Sequence, residues 1–220
     1  MQQNKQPVAP PEFKEGQIAT MDGAALIGVL KNSSSTEFQK AKACIRIGEL
    51  GTKEAVQPLA ALLNDDHLSV YARSGLEHID DPSAADALRA AMVKLKGDRL
   101  IGVINSISKR RDAQASPALV KLLYGSDGDA ARAAAAALGS IGNEMSVKEL
   151  KAAMPKTKGM VRMAVADAAL ICAERLLADG KRDQSLALYA SLSGPDVPKA
   201  ARLAAMQGII REETSPTRPR

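Results

Sequence analysis

Residues 118–123 have the sequence Ala118-Leu-Val-Lys-Leu-Leu123, and five other segments of the chain align with them without gaps. Every copy has Leu at its second position and Leu or Met at its sixth. A spacing of four residues places these two side chains on one face of a helix. The copies begin at residues 25, 58, 87, 118, 149 and 187, with separations of 33, 29, 31, 31 and 38 residues. A near-constant period of this length indicates a repeat protein.

A second helical segment follows each copy, and no stretch alternates apolar and polar residues as a strand would. Two of these segments have matching ends, Ile47-Gly-Glu-Leu-Gly51 and Leu138-Gly-Ser-Ile-Gly142, whose last glycine suits a left-handed helix C-cap. One helix pair cannot bury its apolar face alone, so the pairs must stack. The sequence therefore predicts an all-α solenoid of about six helix–turn–helix repeats without a sheet. The predicted second helices cover residues 37–50, 67–79, 99–110, 129–141, 159–178 and 197–211.

The composition agrees with thin, alanine-rich helices. Hydrophobic residues make up 45% of the chain, but aromatic residues only 2%, and Trp is absent. The net charge of +5, from 30 basic and 25 acidic residues, is mild for a nucleic-acid-binding protein. Cys44 and Cys172 each lie in an apolar helical segment, which predicts small buried side chains and no disulfide framework.

The ends of the chain differ from its centre. No run approaches the ~18 apolar residues of a membrane span. The opening MQQNKQPVAPPEFKEGQ lacks the hydrophobic segment of a signal peptide, which predicts a cytoplasmic protein as the sequence stands. The same polar opening resembles a mature N-terminus with Met1 added, which would make the protein exported or periplasmic. Residues 1–20 and 212–220 are predicted to be disordered tails that flank a solenoid over 21–211.

The two endings, the stretch DAARAAAAALGSIG (129–142) and the period resemble HEAT-like repeats of the short bacterial type, also called phycobilin-lyase-type repeats. The resemblance covers roughly residues 20–211 and implies the fold, because this repeat serves many unrelated roles. Residues 100–123 and 171–189 are similar to a HEAT-like module of larger, often exported, proteins of planctomycete- and verrucomicrobia-type bacteria.

The last pair, predicted at 165–211, departs from this pattern. Its longer spacing and the sequence ADGKRDQSLALYASL resemble a tetratricopeptide hairpin, with Ala187 and Tyr189 near the small and aromatic sites of that motif. The resemblance implies a cap for the solenoid.

A shared metal site for the only two histidines, His67 and His78, is not supported. Eleven helical residues separate them by about 16 Å, whereas metal–ligand distances are near 2 Å. We expect His67 at a turn and His78 near a helix end. Glu77-His78 invites comparison with deoxyhypusine hydroxylase, a HEAT-repeat enzyme that holds iron with repeated His-Glu pairs, but here the order is reversed and occurs once.

Other enzyme interpretations have little support. The chain has no Gly-x-Ser-x-Gly, and its glycine-containing endings close helices instead of following strands as a phosphate-binding loop would. The pairs Asp65-Asp66 and Asp80-Asp81 fall where helix N-caps are needed. A bilin lyase would need a tetrapyrrole pocket, which two Phe and three Tyr would line poorly. We predict a non-catalytic protein without a cofactor, with a bilin-lyase-type or metal-dependent HEAT-repeat enzyme as the alternative.

A nucleic-acid-binding solenoid is a second alternative, because alkylpurine DNA glycosylases are also basic HEAT-like solenoids of similar length. Such enzymes need aromatic platforms for an extruded base. Tyr71 and Tyr124 are instead isolated from the basic clusters in sequence, and those clusters fall at turns on opposite edges of the predicted solenoid. The clusters are Lys94/Lys96/Arg99, Lys109/Arg110/Arg111 and Lys156/Lys158/Arg162.

The remaining candidate is a binding surface on the second helices, which line the concave side of HEAT solenoids. Removing the apolar positions leaves a slightly basic polar strip, in which pairs of residues four apart share a helix face. This inner strip would suit an acidic segment of another protein or of a larger complex. Two other interpretations are equally open: the positions are ordinary exposed sites without a partner, or the arginines brace neighbouring helix layers. The inner strip comprises Lys42, Arg46, Arg73, Glu77, Asn105, Lys109 and Arg162.

Overall fold

The computed structural model describes residues 17–214. These residues form twelve α-helices and three short 3-10 helices, and no strand occurs among them. The chain is an all-α helical-repeat solenoid, as the period predicts. The α-helices are α1 (Gly23–Lys31), α2 (Glu37–Leu50), α3 (Val56–Ala61), α4 (Ser69–His78), α5 (Pro82–Lys94), α6 (Gly97–Arg110), α7 (Ser116–Leu123), α8 (Gly128–Ile141), α9 (Glu144–Ala153), α10 (Gly159–Ala178), α11 (Arg182–Ala190) and α12 (Lys199–Thr214).

The repeated leucines form the core. The second position of every copy is a leucine that is completely buried, and the sixth position is buried in every copy as well. Burial confirms that both positions face the core, although the sixth lies just beyond the end of the helix in three copies, at Leu63, Met154 and Leu192. These residues are Leu26, Leu59, Leu88, Leu119, Leu150 and Leu188, with Leu30, Leu63, Met92, Leu123, Met154 and Leu192.

The chain divides into two compact units, with the boundary between Leu95 and Lys96. In the first unit, α2 packs against α1 and α4, and α3 packs against α4 and α5. In the second unit, α8 packs between α6 and α10, and α10 also contacts α9 and α11. The sequence predicted one solenoid over 21–211, whereas this boundary separates the two helices of the third pair.

Helical residues extend beyond both predicted ends of the solenoid. Residues Ile18–Thr20 form a 3-10 helix, and Ile18 is buried beside α2. At the other end, α12 continues to Thr214, past the predicted boundary at 212. The predicted boundaries at 20 and 212 thus fall at helical residues, and the rest of the predicted tails, 1–16 and 215–220, lies outside the described residues.

Helix ends confirm the predicted caps. Gly51 and Gly142 have φ of 67° and 64° and close α2 and α8 in the left-handed conformation. Asp81 accepts a hydrogen bond from the backbone N–H of the second residue of α5, and Asp65 accepts two from the turn before α4. These bonds satisfy N–H groups that a helix start leaves without a partner.

Two of the glycines allow second helices to approach closely. A Cβ atom at Gly139 of α8 would lie 2.5 Å from the carbonyl oxygen of Ala168 in α10. In the first unit, a Cβ atom at Gly48 would lie 3.2 Å from the Cα of Gly75. Where the backbones of two helices touch, no large side chain fits between them. This explains how a chain with so few aromatics packs its core.

The last pair is fixed by one buried aromatic ring. Tyr189 of α11 is 1% exposed and packs on Gly208 of α12, where an added Cβ would lie 2.7 Å from the ring. Its hydroxyl donates to Glu174 of α10, whose two carboxylate oxygens also accept from Arg211 at 2.9 and 3.0 Å. Ala187, the expected small packing site, is exposed. The tetratricopeptide resemblance of this pair stays a prediction.

Both cysteines are completely buried, which confirms the prediction from their apolar surroundings. Neither forms a disulfide. Burial raises the pKa of Cys44 to about 12 and that of Cys172 to about 11. Both thiols are therefore protonated at neutral pH and behave as small apolar side chains.

Candidate protein-interaction surface

Lys42 and Arg46 share the outward face of α2. The helix begins with a capping box between Thr36 and Gln39, and its buried residues occupy the opposite side. The Lys42 ammonium lies 5.6 Å from the centre of the Phe38 ring, within cation–π range. The residues of this pair, four apart in sequence, are therefore placed together as predicted.

A cavity of about 210 Å³ opens on this face of α2. Lys42 and Arg46 line it together with Ala19, Ile45 and Glu49. Arg46 donates to Glu49 at 2.8 Å, so one carboxylate already faces the basic pair. The cavity thus combines two cations, one anion and an exposed apolar side chain, Ile45, which can accept a charged group with an apolar stem.

Arg73 and Glu77 lie on α4, the helix that packs against α2, and are half-buried, as Lys42 and Arg46 are. Burial lowers the pKa of Arg73, and Glu77 opposes that shift. The most exposed apolar side chains of α4 are Val70 and Tyr71, at 50% and 37%.

The three remaining residues of the inner strip lie in the second unit and have different environments. Asn105 and Lys109 are exposed on α6. Arg162 of α10 donates to the carbonyl of Thr157 at 2.6 Å and reaches the carbonyl and carboxylate oxygens of Asp196 at 3.4 and 3.7 Å. Arg162 therefore connects α10 to the loop before α12. This contact agrees with the alternative in which the arginines brace neighbouring helix layers.

Arg111 is a second brace at a turn. It takes the left-handed conformation, with φ of 52°, at the C-terminal end of α6. At the equivalent ends of α2 and α8 this position is a glycine, Gly51 and Gly142. Its guanidinium reaches the carbonyl of Ser140 at 3.3 Å and the carboxylate of Asp179 at 3.6 Å. The second basic cluster therefore contributes to packing at the ends of α8 and α10.

Tyr124 is not isolated from basic residues, contrary to expectation. The Lys156 ammonium lies 5.4 Å from the centre of its ring, and its hydroxyl is 3.4 Å from a carboxylate oxygen of Glu149. Burial, together with that carboxylate, raises the pKa of Tyr124. Tyr124 is 41% exposed, but the Lys156 ammonium covers one face of its ring. A nucleic-acid base could therefore stack only on the other face.

The histidines take the predicted positions. His67 lies in the turn before α4, and His78 is the last residue of that helix, with its Nδ1 2.7 Å from the carbonyl oxygen of Ser74. In the part of the chain that the structure describes, no group of three or more His, Cys, Asp or Glu side chains is placed to hold a metal ion.

Exposed apolar side chains on the last second helices were missed by the sequence analysis. On α10, Met160 and Met163 are 66% and 55% exposed, and α12 carries Leu203, Met206 and Ile210 on its outer side. The signal in the sequence was that both helices are apolar on more than one face, which a helix buried on one side does not need.

Comparison with one solved structure supports the fold. An engineered protein superposes with a TM-score of 0.52 at 16% identity over 88% of this chain and 98% of its own. A second engineered protein reaches 0.49 at 17% identity over 86% of this chain and 58% of its own. Human deoxyhypusine hydroxylase in complex with glycerol reaches 0.44 at 16% identity over 93% of this chain and 78% of its own. These likenesses are similarities of helical architecture alone.

Sequence comparisons add no family. No family profile matches the chain, and no curated protein matches it. Among residues 17–214, no helix is both long and apolar enough to cross a membrane.

Proposed function

We propose that the chain is a non-catalytic protein-interaction scaffold of the HEAT-like type, which holds an acidic segment of another protein on the outward faces of its second helices. The observation that supports this proposal best is the cavity on α2. Two residues of the inner strip, Lys42 and Arg46, line it together, and its volume of about 210 Å³ suits one or two side chains of a peptide.

Charge and apolar surface occur side by side on this part of the first unit. A glutamate of the partner would pair with Lys42 and with the Arg46 guanidinium, which already forms one carboxylate bond to Glu49. Ile45, which lines the same cavity, would contact an apolar side chain of the segment. Interfaces of this kind combine a few charge pairs with apolar contacts.

Binding of a fluorescent glutamate-rich peptide, measured by anisotropy, tests the proposal. Lys42→Glu combined with Arg46→Gln removes the basic pair, with a neutral amide in place of the guanidinium that contacts Glu49. The matched control, Lys31→Glu with Lys94→Gln, makes the same change in net charge at exposed positions of the first unit. We expect the first variant to weaken binding at least about tenfold, the control to bind as wild type within about twofold, and added salt to weaken wild-type binding.

Three results would contradict the proposal. Equal loss of binding in both variants would mean that net charge alone attracts the peptide. Undiminished binding by the folded α2 variant would exclude the cavity. Tighter binding of random-sequence duplex DNA than of the peptide would favour the nucleic-acid alternative, and a bound pigment or stoichiometric metal in the purified protein would favour an enzyme.

A further inference from the structure

Helix α12 carries an apolar stripe on the side opposite its packed face. Leu203, Met206 and Ile210 are 50%, 51% and 57% exposed. The packed face is formed by small residues, Ala201, Ala205 and Gly208, of which Gly208 contacts the Tyr189 ring. The helix is thus apolar on both sides, although only one side meets the rest of the second unit.

The stripe has the spacing of a coiled-coil seam. Leu203, Met206 and Ile210 are separated by three and four residues, and Lys199 and Glu213 extend the same alternation at its two ends. A 4-3-4-3 spacing keeps side chains on one line of a helix that pairs with another helix. The seam therefore has an apolar centre, a basic start and an acidic end.

The charges at the ends of the seam oppose the helix dipole. A helix favours acidic residues in its first turn and basic residues in its last, whereas the seam has Lys199 at the start and Glu213 at the end. Neither residue forms an ion pair among the described residues. Both side chains are exposed, and neither charge lies at the helix end that the dipole would favour.

We propose that α12 pairs with α12 of a second copy of this chain in an antiparallel, two-fold arrangement. In this arrangement Leu203 lies opposite Ile210 of the second copy, and Met206 lies at the centre. Lys199 of each copy then lies beside Glu213 of the other, so that two ion pairs close the ends. A parallel arrangement would place Lys199 beside Lys199 and Glu213 beside Glu213, which like charges disfavour.

The contact is a weak one. A single helix face buries much less than the ~800 Å² per partner of a standard stable interface. An exposed apolar helix face of this kind tends to associate. We expect a reversible dimer that forms as the concentration rises from about ten micromolar to about one millimolar, the range in which weak association is measured.

Sedimentation equilibrium of the full chain over that range tests the pairing. Met206→Glu places a charge at the centre of the seam and should raise the dimer dissociation constant at least about tenfold. Met163→Glu on α10 is the matched control, since that methionine is equally exposed, at 55% against 51%, and lies outside the seam. The control should associate as wild type.

A charge exchange tests the antiparallel direction. Lys199→Glu and Glu213→Lys should each weaken association by several-fold, although each improves the match to the helix dipole, and the double variant should restore it. Wild-type protein that stays monomeric throughout would overturn the proposal, as would equal loss in Met163→Glu or a double variant that does not recover. Met206→Glu should leave binding of the glutamate-rich peptide unchanged, which separates this contact from the inner strip.

Discussion

Gly139→Ala should destabilise the protein, although replacing a glycine within a helix by alanine normally stabilises it by about 0.5–1 kcal/mol. In this structure an added Cβ would lie 2.5 Å from the carbonyl oxygen and 2.9 Å from the Cα of Ala168. Both atoms belong to the backbone of α10, so relief requires a shift of the whole helix. Overpacking of this kind costs typically about 1–3 kcal/mol. Steric overlap therefore outweighs propensity, and we expect a net loss of about 1–2 kcal/mol.

Gly28→Ala is the matched control for this substitution. Gly28 lies inside α1, and a Cβ atom there would have no neighbour within 4 Å. The control should gain about 0.5–1 kcal/mol. Urea unfolding followed by circular dichroism would measure both free energies of unfolding. A Gly139→Ala protein as stable as Gly28→Ala would refute the close packing of α8 on α10.

Three further substitutions or reactions test the core and its caps. Leu138→Ala should cost about 2–5 kcal/mol, because Leu138 is completely buried in α8, and a change below about 0.5 kcal/mol in the same assay would contradict that burial. Cys44 and Cys172 should react with a thiol reagent at pH 8 only after denaturation, since burial keeps both protonated, whereas rapid labelling of native protein would show that they are accessible. Asn143→Ala should lower the thermal midpoint by removing about 1 kcal/mol of N-cap stabilisation from α9, and an unchanged midpoint would argue against the cap.

The fold could be predicted because its signal is local and repeated. Leu26 and its counterparts recur at a near-constant period, and Gly51 and Gly142 follow apolar runs as C-caps do. Gly48 and Gly139 were not recognised as packing positions, because a glycine within three residues of a helix end looks the same in sequence whether it caps the helix or contacts a neighbour.

The surroundings of the candidate residues could be predicted only in part, because they depend on residues distant in sequence. Arg162 is braced by Asp196, 34 positions away, and Lys156 covers the ring of Tyr124, 32 positions earlier. No periodicity connects such residues. The pair Lys42 and Arg46 was found because a spacing of four on one helix decides that they share a face.

Hydrogen exchange of the full chain with and without the glutamate-rich peptide tests the proposed scaffold function most directly. Exchange reports protection helix by helix and needs no substitution. If the second helices hold the segment, the peptide should slow exchange in α2 and α4, and most strongly around Lys42 and Arg46, while α1, α3 and α5 stay unchanged. Protection confined to α1, α3 and α5, or no protection at saturating peptide, would contradict the account.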